Sequence, residues 1–302
     1  MINSFMLRYL LQIFIAIGLV YWGYVNLYPI EMVEYRFVEQ YIGGWYLSPV
    51  LARILVGSNW TIAAFLILNI KPKKLIPFSL LGLVVLHSYN LIWEFASESI
   101  IIVENYSEII PGKLWVTFIL LILMTGVSID MLKSGKSTDF VFKWVKYPVA
   151  MTLIVLPFIL NAIFPNDLVD ETELFTEPFQ SEIVNNEQLT YLTEDRVLVC
   201  FYSTSCPFCV RSSKKIAVSQ KRYPYFPEVY VLFQGDQDGA EYFIEVAGVD
   251  FSYSVLSLEN YTKLTGLTFP RFQLIYQGNI DRKWDGKTFD YSVMNKLSTG
   301  EE

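Results

Sequence analysis

The chain has 302 residues, of which 53% are hydrophobic and 18% are charged, and its formal net charge is −7. A soluble domain of this size carries about a quarter charged residues, so the composition excludes an ordinary soluble enzyme. The acidic balance excludes a nucleic-acid-binding protein whose affinity comes from counterion release. Residues 1–165 carry a net +2 and residues 166–302 a net −9. We therefore expect a membrane half followed by an acidic, water-soluble half.

Five apolar stretches in the first half are long enough to cross about 30 Å of hydrocarbon as helices. They lie at residues 9–29, 50–70, 75–96, 114–132 and 145–165. A cleaved signal peptide is the alternative for the first stretch, but the apolar run is longer than a signal h-region and no small-residue cleavage site follows it. The sequence thus predicts an all-α bundle of five transmembrane helices over residues 1–165.

The flanking charges predict the orientation of these spans. Basic residues lie at the N-terminus and in the second and fourth connections, which contain Arg8, the KPKK run at 71–74, Lys133, Lys136, Lys143 and Lys146. The other two connections are acidic, with Glu31, Glu34, Glu39, Glu98, Glu104 and Glu108. The positive-inside rule places the N-terminus in the cytoplasm, and five crossings then place the second half outside. This predicts a bacterial inner-membrane protein with a periplasmic C-terminal domain. Trp45, Trp93 and Trp115 fit an interfacial aromatic belt near the outer ends; the alternative is that they are packing residues.

Six polar residues fall in the middle or outer half of the first three predicted spans: Asn26, Arg53, Asn59, His87, Asn90 and Glu94. Polar groups in hydrocarbon are costly and are often functional. The spacing of the last three puts them on one helical face. One hypothesis is a polar pocket, open to the outside, that holds a quinone, a small solute or a partner's side chain. The alternative is interhelical hydrogen bonding together with an Arg53–Glu94 ion pair that holds the bundle together.

Residues 5–132 resemble the DoxX/MauE family of four-helix membrane proteins. The resemblance is diffuse and depends on hydropathy, the YWGYVNLYP segment at 21–29 and the arginine of LARILVGSNW at 51–60. It implies a four-helix core and a link to thiol or sulfur oxidation and to the disulfide maturation of exported proteins. It assigns no role to individual membrane residues.

The second half begins with a polar, acidic linker at 166–186 and continues as an alternation of strands and helices over 187–302. Strands are predicted at 197–202, 229–233 and 254–257, and helices at 210–222, 240–247 and 259–265. A hairpin turning around Gln277–Asn279 and a helix at 291–297 follow. This order predicts an α/β sheet that is covered on both faces.

All three cysteines, Cys200, Cys206 and Cys209, lie in the second half. The one histidine lies in the membrane half, which excludes a Cys₃His zinc site, and Val210 stands where a c-type haem needs histidine. What remains is a C-x-x-C dithiol where a strand meets a helix. Cys206 would lie at the helix N-terminus, which stabilises a thiolate, and Pro207 suits the first helical position. Cys206 is then the attacking thiol and Cys209 the resolving thiol; an inert disulfide or a chance spacing is the alternative.

The segment VLVCFYSTSCPFC, with TFP at 268–270 and a hairpin after it, resembles a thioredoxin-fold domain over about residues 187–298. The resemblance implies thiol–disulfide exchange and a cis peptide at Phe269–Pro270 that faces the dithiol. It also implies that Phe269, Pro270, Pro207 and Phe208 bind the substrate chain. The family often has a buried acid six positions before the first cysteine, where this chain has Cys200. Proton transfer to Cys209 then relies on water or another group, unless Cys200 is simply a small buried strand residue.

These features predict a membrane-anchored, extracytoplasmic thiol–disulfide oxidoreductase that acts on exported cysteine-containing proteins. No metal or resident cofactor is predicted. The first 199 residues contain no cysteine, so the bundle cannot relay electrons by thiol exchange, and a quinone acceptor would have to contact the dithiol directly. The alternative is an accessory or chaperone-like subunit of an inner-membrane redox or translocation complex, in which the domain binds partners without redox turnover.

Overall fold

The computed structural model describes residues 4–70, 75–96, 113–134, 143–161, 196–265, 269–277 and 279–300. The chain forms two compact units. The first contains Met1–Gln40 and Leu47–Ile163, and the second contains Tyr41–Tyr46 and Phe164–Glu302. The second unit therefore includes a short segment that comes from much earlier in the sequence than its other residues.

The first unit is helical in its described residues. Its helices are α1 (Ser4–Leu27), α2 (Glu31–Glu39), α3 (Ser48–Ile67), α4 (Leu75–Ala96), α5 (Lys113–Ser134) and α6 (Lys143–Leu160). Within the described part of the chain, three stretches are long and apolar enough to cross a membrane: Met6–Leu27, Ser48–Ile67 and Leu75–Trp93. Tyr147–Leu160 is a shorter apolar helix. The first three predicted spans thus coincide with helices of sufficient length, whereas a total of five spans stays a prediction.

Helix α2 differs from the sequence prediction, which places its residues in an acidic connection. Val33 and Phe37, one turn apart, are 8% and 3% exposed and give the helix a buried face. Glu31 and Glu34 lie in its first turn, where negative charge interacts favourably with the helix dipole. The sequence predicts a loop here because three glutamates in nine residues obscure the short apolar pattern of the helix.

Helix α3 is central to the first unit and packs against α1, α2 and α6. Gly57 lies where α3 meets α6, and a Cβ atom added there would be 2.7 Å from the Cα atom of Ile154. Small residues at such crossings let two helix backbones approach closely, which favours packing in lipid. Gly57 therefore sets the distance between α3 and α6.

The second unit contains a five-stranded sheet. Its described elements are β1 (Arg196–Ser203), α7 (Pro207–Arg222), β2 (Glu228–Gln234), α8 (Gln237–Ala247), β3 (Ser252–Leu256), α9 (Leu258–Thr265), β4 (Arg271–Tyr276), β5 (Asn279–Asp285) and α10 (Tyr291–Thr299). The sheet order is β3-β2-β1-β4-β5. Strands β1, β2 and β3 are parallel, and β4 is antiparallel to both β1 and β5. These elements agree with the predicted alternation, and the domain is consistent with a thioredoxin fold.

Strand β1 lies in the middle of the sheet and is buried on both faces, which explains its continuous apolar sequence. On one face Phe201 packs edge-on against Tyr261 of α9, with ring centroids 6.2 Å apart. On the other face Tyr202 contacts Phe243 of α8 and Phe272 of β4, at 5.8 and 6.0 Å. The segment that follows Ser203 is therefore held at the edge of a well-packed sheet.

The segment Tyr41–Tyr46 packs within the second unit. Trp45 is fully buried and stacks on Tyr291 of α10, with ring centroids 6.5 Å apart. Lys215 of α7 places its Nζ atom 5.9 Å from the centroid of the Trp45 ring. Arg222, at the end of α7, donates a hydrogen bond to the carbonyl oxygen of Gly43. Trp45 is thus a buried packing residue, the alternative to a place in an interfacial aromatic belt.

Candidate functional site

The two cysteines of the C-x-x-C sequence lie at the start of α7, as predicted. Cys206 is the N-cap residue, with φ −94° and ψ 112°, and Pro207 begins the helix. The Sγ atom of Cys206 accepts a hydrogen bond from the backbone N–H of Cys209, with a distance of 3.3 Å. A sulfur in the N-cap position meets backbone N–H groups that have no partner inside the helix. This geometry places the sulfur of Cys206 against the free N–H groups at the start of α7.

The two thiols differ in access to solvent. Cys206 is 7% exposed, whereas Cys209 is fully buried. Burial, followed by a hydrogen bond with Cys206, raises the pKa of the Cys209 thiol far above its ordinary value, although a backbone hydrogen bond from Ser203 acts in the opposite direction. Cys209 is therefore protonated at neutral pH when the dithiol is reduced. All three cysteines are free thiols in this structure.

Cys200, six positions before Cys206, is fully buried and its thiol donates to the carbonyl oxygen of Leu198 at 3.9 Å. Burial raises the pKa of the Cys200 thiol, and the nearby Tyr202 hydroxyl only partly opposes this. Cys200 is therefore neutral and cannot replace a carboxylate as a base at neutral pH. This agrees with the interpretation of Cys200 as a small buried strand residue.

Sequence reasoning missed two tyrosines beside the buried thiols. Tyr202 and Tyr261 are fully buried. Burial raises the pKa of both, and electrostatic interaction with Cys209 raises it further. Both hydroxyls are therefore neutral, and neither has a hydrogen-bond partner among the described residues. The sequence carries a signal for Tyr202, which follows Cys200 at strand spacing, but none for Tyr261, which reaches the site from α9.

The predicted substrate-binding residues surround the start of α7. Phe208 is 63% exposed, and the guanidinium carbon of Arg211 lies 4.6 Å from its ring centroid. Arg271, which follows Pro270, pairs with Phe201 near the carboxyl end of β1, so Phe269 and Pro270 lie at the sheet edge that carries the dithiol. The Phe269–Pro270 peptide is cis, as predicted. Phe269 and Pro207 are exposed and Pro270 is buried.

In the first unit, Arg53 has a structural role. Its Nη1 atom lies 2.6 Å from the Oε1 atom of Glu34, with side-chain exposures of 4% and 0%. Arg53 also donates to the carbonyl oxygens of Pro49 and Asn161, at 2.7 and 2.6 Å, and Asn161 donates to the carbonyl oxygen of Leu27 at 3.0 Å. The ends of α1, α2, α3 and α6 are joined by this network. The side chain of Glu94 lies outside the described residues, so the predicted Arg53–Glu94 pair stays a prediction.

The other predicted polar residues of the bundle occupy different surroundings. Asn26 donates to the carbonyl oxygen of Trp22 on its own helix at 2.8 Å. The His87 ring packs against Trp22 with centroids 3.8 Å apart and ring planes tilted by 31°. His87 and Asn90 share the buried side of α4, as their spacing predicts, and Asn59 is fully buried on α3. Among the described residues, the Asn59 amide, the His87 Nε2 atom and the Asn90 Oδ1 atom have no hydrogen-bond partner. A shared pocket for the six residues stays a prediction.

Within the described ranges, His, Cys, Asp and Glu form no group of three or more arranged to hold a metal ion.

No family model matches the chain. No curated protein matches it either. Among solved structures, the chain is similar to the solution structure of a thiol:disulfide interchange protein from Bacteroides sp.. That match is 18% identical, covers 38% of this chain and 80% of the other, and has a TM-score of 0.31. The proposal for function therefore rests on the site.

Proposed function

We propose that this protein is a membrane-anchored thiol–disulfide oxidoreductase whose Cys206–Cys209 dithiol acts on exported proteins outside the cytoplasm. The observation that carries the proposal is the unequal environment of the two thiols. Cys206 has limited solvent access and caps a helix, while Cys209 is fully buried and its pKa is raised. An exchange reaction needs this difference, because one sulfur must meet the substrate and the other must resolve the mixed disulfide.

The exchange balances in atoms and electrons. A substrate thiolate attacks the Sγ atom of Cys206 in the oxidised protein, the bond between Cys206 and Cys209 breaks, and Cys209 leaves as a thiolate that takes up a proton. A second substrate thiol, after losing its proton, attacks the substrate sulfur of the mixed disulfide and releases Cys206 as a thiolate. Two electrons pass from the substrate dithiol to the protein, and the reverse sequence reduces a substrate disulfide.

The substrate chain would approach over exposed aromatic surface. Phe208 and Phe269 are 63% and 38% exposed, and both lie at the edge of the sheet that carries Cys206. Apolar side chains next to a substrate cysteine would pack on these rings, and the backbone of Phe269 would pair with the extended substrate. An exported protein that exposes apolar residues before it folds has this chemistry.

The anchor proposed for this domain is a five-span bundle with a cytoplasmic N-terminus in a bacterial inner membrane. The three described spans and the alternation of basic and acidic connections support it. A DoxX/MauE-like four-helix core is part of the proposal and rests on the sequence resemblance alone. Disulfide exchange is permitted on the outer side of that membrane.

The test is to trap substrates with full-length variants under non-reducing conditions. Cys209→Ala should accumulate mixed disulfides, because the resolving thiol is gone while Cys206 still attacks. Cys206→Ala should accumulate none. Cys200→Ala is the matched control, since it removes a cysteine outside the C-x-x-C sequence and should behave as the unaltered chain does. If Cys209→Ala traps nothing, and a Cys206→Ala/Cys209→Ala variant still supports growth, the protein is a binding subunit and the proposal is wrong.

A further inference from the structure

The second unit contains a cavity of about 350 Å³ between the hairpin and the last helix. We call it the hairpin cavity. Strand β1 contributes its first residue, β4 and β5 contribute a wall, and α10 closes the other side. The residues that carry its chemistry are Arg196, Tyr276, Asp281, Arg282, Trp284 and Lys296. Its volume suits a small ligand.

The hairpin cavity has the opposite charge to the half of the chain that forms it. Residues 166–302 carry a net −9, yet three cationic side chains line this space against one carboxylate. That carboxylate, Asp281, is only loosely paired, since its Oδ2 atom is 3.8 Å from the Nε atom of Arg282 and both side chains are about half exposed. The side chains of Arg196 and Lys296 make no hydrogen bond or ion pair with the described part of the chain.

The cavity also offers a flat apolar surface next to its cations. Trp284 is partly buried and its ring is held edge-on by Phe289, with centroids 5.7 Å apart. Leu274 and Leu297 line the space and are 2% and 3% exposed. An indole held in place beside guanidinium groups suits a ligand that has both an anionic and an apolar part.

The hairpin cavity is separate from the dithiol. Arg196 is the first residue of β1 and Ser203 is the last, and the dithiol follows Ser203. A strand rises about 3.3 Å per residue, so Arg196 lies roughly 23 Å along β1 from the end that carries the dithiol. Trp284 lies nearer to the dithiol, in register with Phe272 and, through it, with Cys200. A ligand in the cavity would leave the approach to Cys206 open.

We infer that the hairpin cavity binds a phosphate-bearing anion. Arg196 and Arg282 supply planar guanidinium groups that match phosphate oxygens two at a time, and Lys296 supplies a point charge. The rest of the ligand lies on Trp284. Two sources present this chemistry: a soluble phosphate, and the headgroup of an anionic phospholipid. Binding of either kind is independent of thiol exchange.

The test uses the full chain, labelled with 5-fluorotryptophan, in nanodiscs of phosphatidylcholine. The chain has seven tryptophans, and Trp284→Phe identifies the fluorine resonance of Trp284. Titration with inorganic phosphate at constant ionic strength should shift that resonance in a saturable way. Sodium chloride over the same range should not. Nanodiscs that contain phosphatidylglycerol form the second arm. A shift there without phosphate identifies the lipid headgroup as the source, and a shift with phosphate alone identifies the soluble anion.

Charge variants test the residues. Arg196→Gln and Lys296→Gln should each weaken phosphate binding by about tenfold, the effect of losing one charge-assisted hydrogen bond. Lys221→Gln on α7 is the matched control, because Lys221 is exposed and does not line the cavity, and it should bind as the unaltered chain does. The inference is overturned if the Trp284 resonance moves neither with phosphate nor with phosphatidylglycerol. It is also overturned if phosphate shifts the resonance equally in the Arg196, Lys296 and Lys221 variants. Substrate trapping by Cys209→Ala would be unaffected by either result.

Discussion

At the scale of single residues, the chemistry of the dithiol follows from burial. Cys206 and Cys209 are three positions apart, yet only Cys206 retains any exposed surface. Desolvation disfavours a thiolate, so burial holds Cys209 and Cys200 in the neutral form. Cys206 instead lies at the N-cap of α7, where its sulfur accepts a backbone hydrogen bond. The reactive sulfur is thus selected by position.

We expect iodoacetamide at neutral pH to modify Cys206 in the folded, reduced chain and to leave Cys200 and Cys209 unmodified. Only the thiolate reacts, and burial both raises the pKa of the other two thiols and excludes the reagent. Peptide mass spectrometry measures the labelling of each cysteine. Cys206→Ala is the control and should take up label only after denaturation. Equal labelling of Cys206 and Cys209 in the folded chain would contradict the assignment of their roles.

The Cys200 thiol also predicts how stability changes at alkaline pH. Burial raises the pKa of Cys200 in the folded state, while the thiol in the unfolded chain has a pKa of about 8.5. The stability that the Cys200 thiol contributes is fully present below the pKa of the unfolded state. It is lost as the pH rises from there towards the folded pKa, and the free energy of unfolding then falls by up to about 1.4 kcal/mol per pH unit. Cys200→Ala should therefore lose less stability than the unaltered chain between pH 8 and pH 10. Thermal unfolding of both proteins across this range measures the difference, and parallel curves would contradict the prediction.

At the scale of elements, one buried ion pair connects four helices of the first unit. Arg53 and Glu34 are almost inaccessible, and the arginine also donates to the carbonyl oxygen of Pro49 on its own helix and to that of Asn161 after α6. A buried charge is tolerated only when it is paired and hydrogen-bonded. The pair therefore fixes where α2 and the end of α6 lie against α3.

Removing one partner of this pair should be much worse than removing both. Glu34→Ala leaves an uncompensated guanidinium and should cost about 3–5 kcal/mol, whereas Arg53→Met combined with Glu34→Leu should recover most of this loss. Thermal unfolding of the full chain in detergent measures the effect. Glu31→Ala, at the partly buried start of the same helix, is the control and should change stability little. A double variant as unstable as Glu34→Ala would contradict the account.

The packing of the segment Tyr41–Tyr46 predicts how truncation of Trp45 affects the stability of the second unit. Lys215 is 7% exposed, donates to the carbonyl oxygen of Phe289 at 2.7 Å and faces the Trp45 ring. Trp45→Ala should remove the ring and open a cavity, at a cost of about 3–5 kcal/mol. Tyr46→Ala is the matched control, because Tyr46 is 60% exposed. Faster hydrogen exchange in the middle of α7 in the Trp45 variant alone is the expected result, and equal exchange in both variants would contradict it.

The elements that local pattern determines could be predicted from the sequence, and the long-range contacts could not. Strand β1 is a continuous apolar run between polar segments, and Cys206–Pro207 carries the features of a helix start, so both were predictable. The partner of Arg53 was not, because Glu34 lies in a helix whose acidic composition resembles a loop. Trp45 has no local signal that would distinguish a lipid-facing ring from one that packs on α10. Tyr261 and Cys209 are 52 positions apart and interact only in the folded chain, so their spacing in the sequence does not predict the interaction.

At the scale of the whole molecule, the charges divide along the same line as the chemistry. The first half is mildly basic and contains no cysteine, whereas the second is acidic and contains all three. In the proposed function, thiol exchange belongs to the second half alone and the first half serves as the membrane anchor. The direction in which the chain crosses that membrane decides whether the dithiol meets exported proteins, so the number of crossings bears directly on function.

The span count can be tested at the connection that follows α5. A helix rises 1.5 Å per residue, so the apolar helix Tyr147–Leu160 covers only about 21 Å of the roughly 30 Å required, and a crossing there needs the flanking residues of α6. Alkaline phosphatase, which is active only outside the cytoplasm, would be fused after residues 73, 104, 138 and 302. Five spans predict activity after 104 and 302 and none after 73 and 138. Activity after 138 as well would mean that neither α5 nor α6 crosses, which leaves three spans and the dithiol still outside. Loss of activity after 302 would place the dithiol in the cytoplasm and would contradict extracytoplasmic exchange.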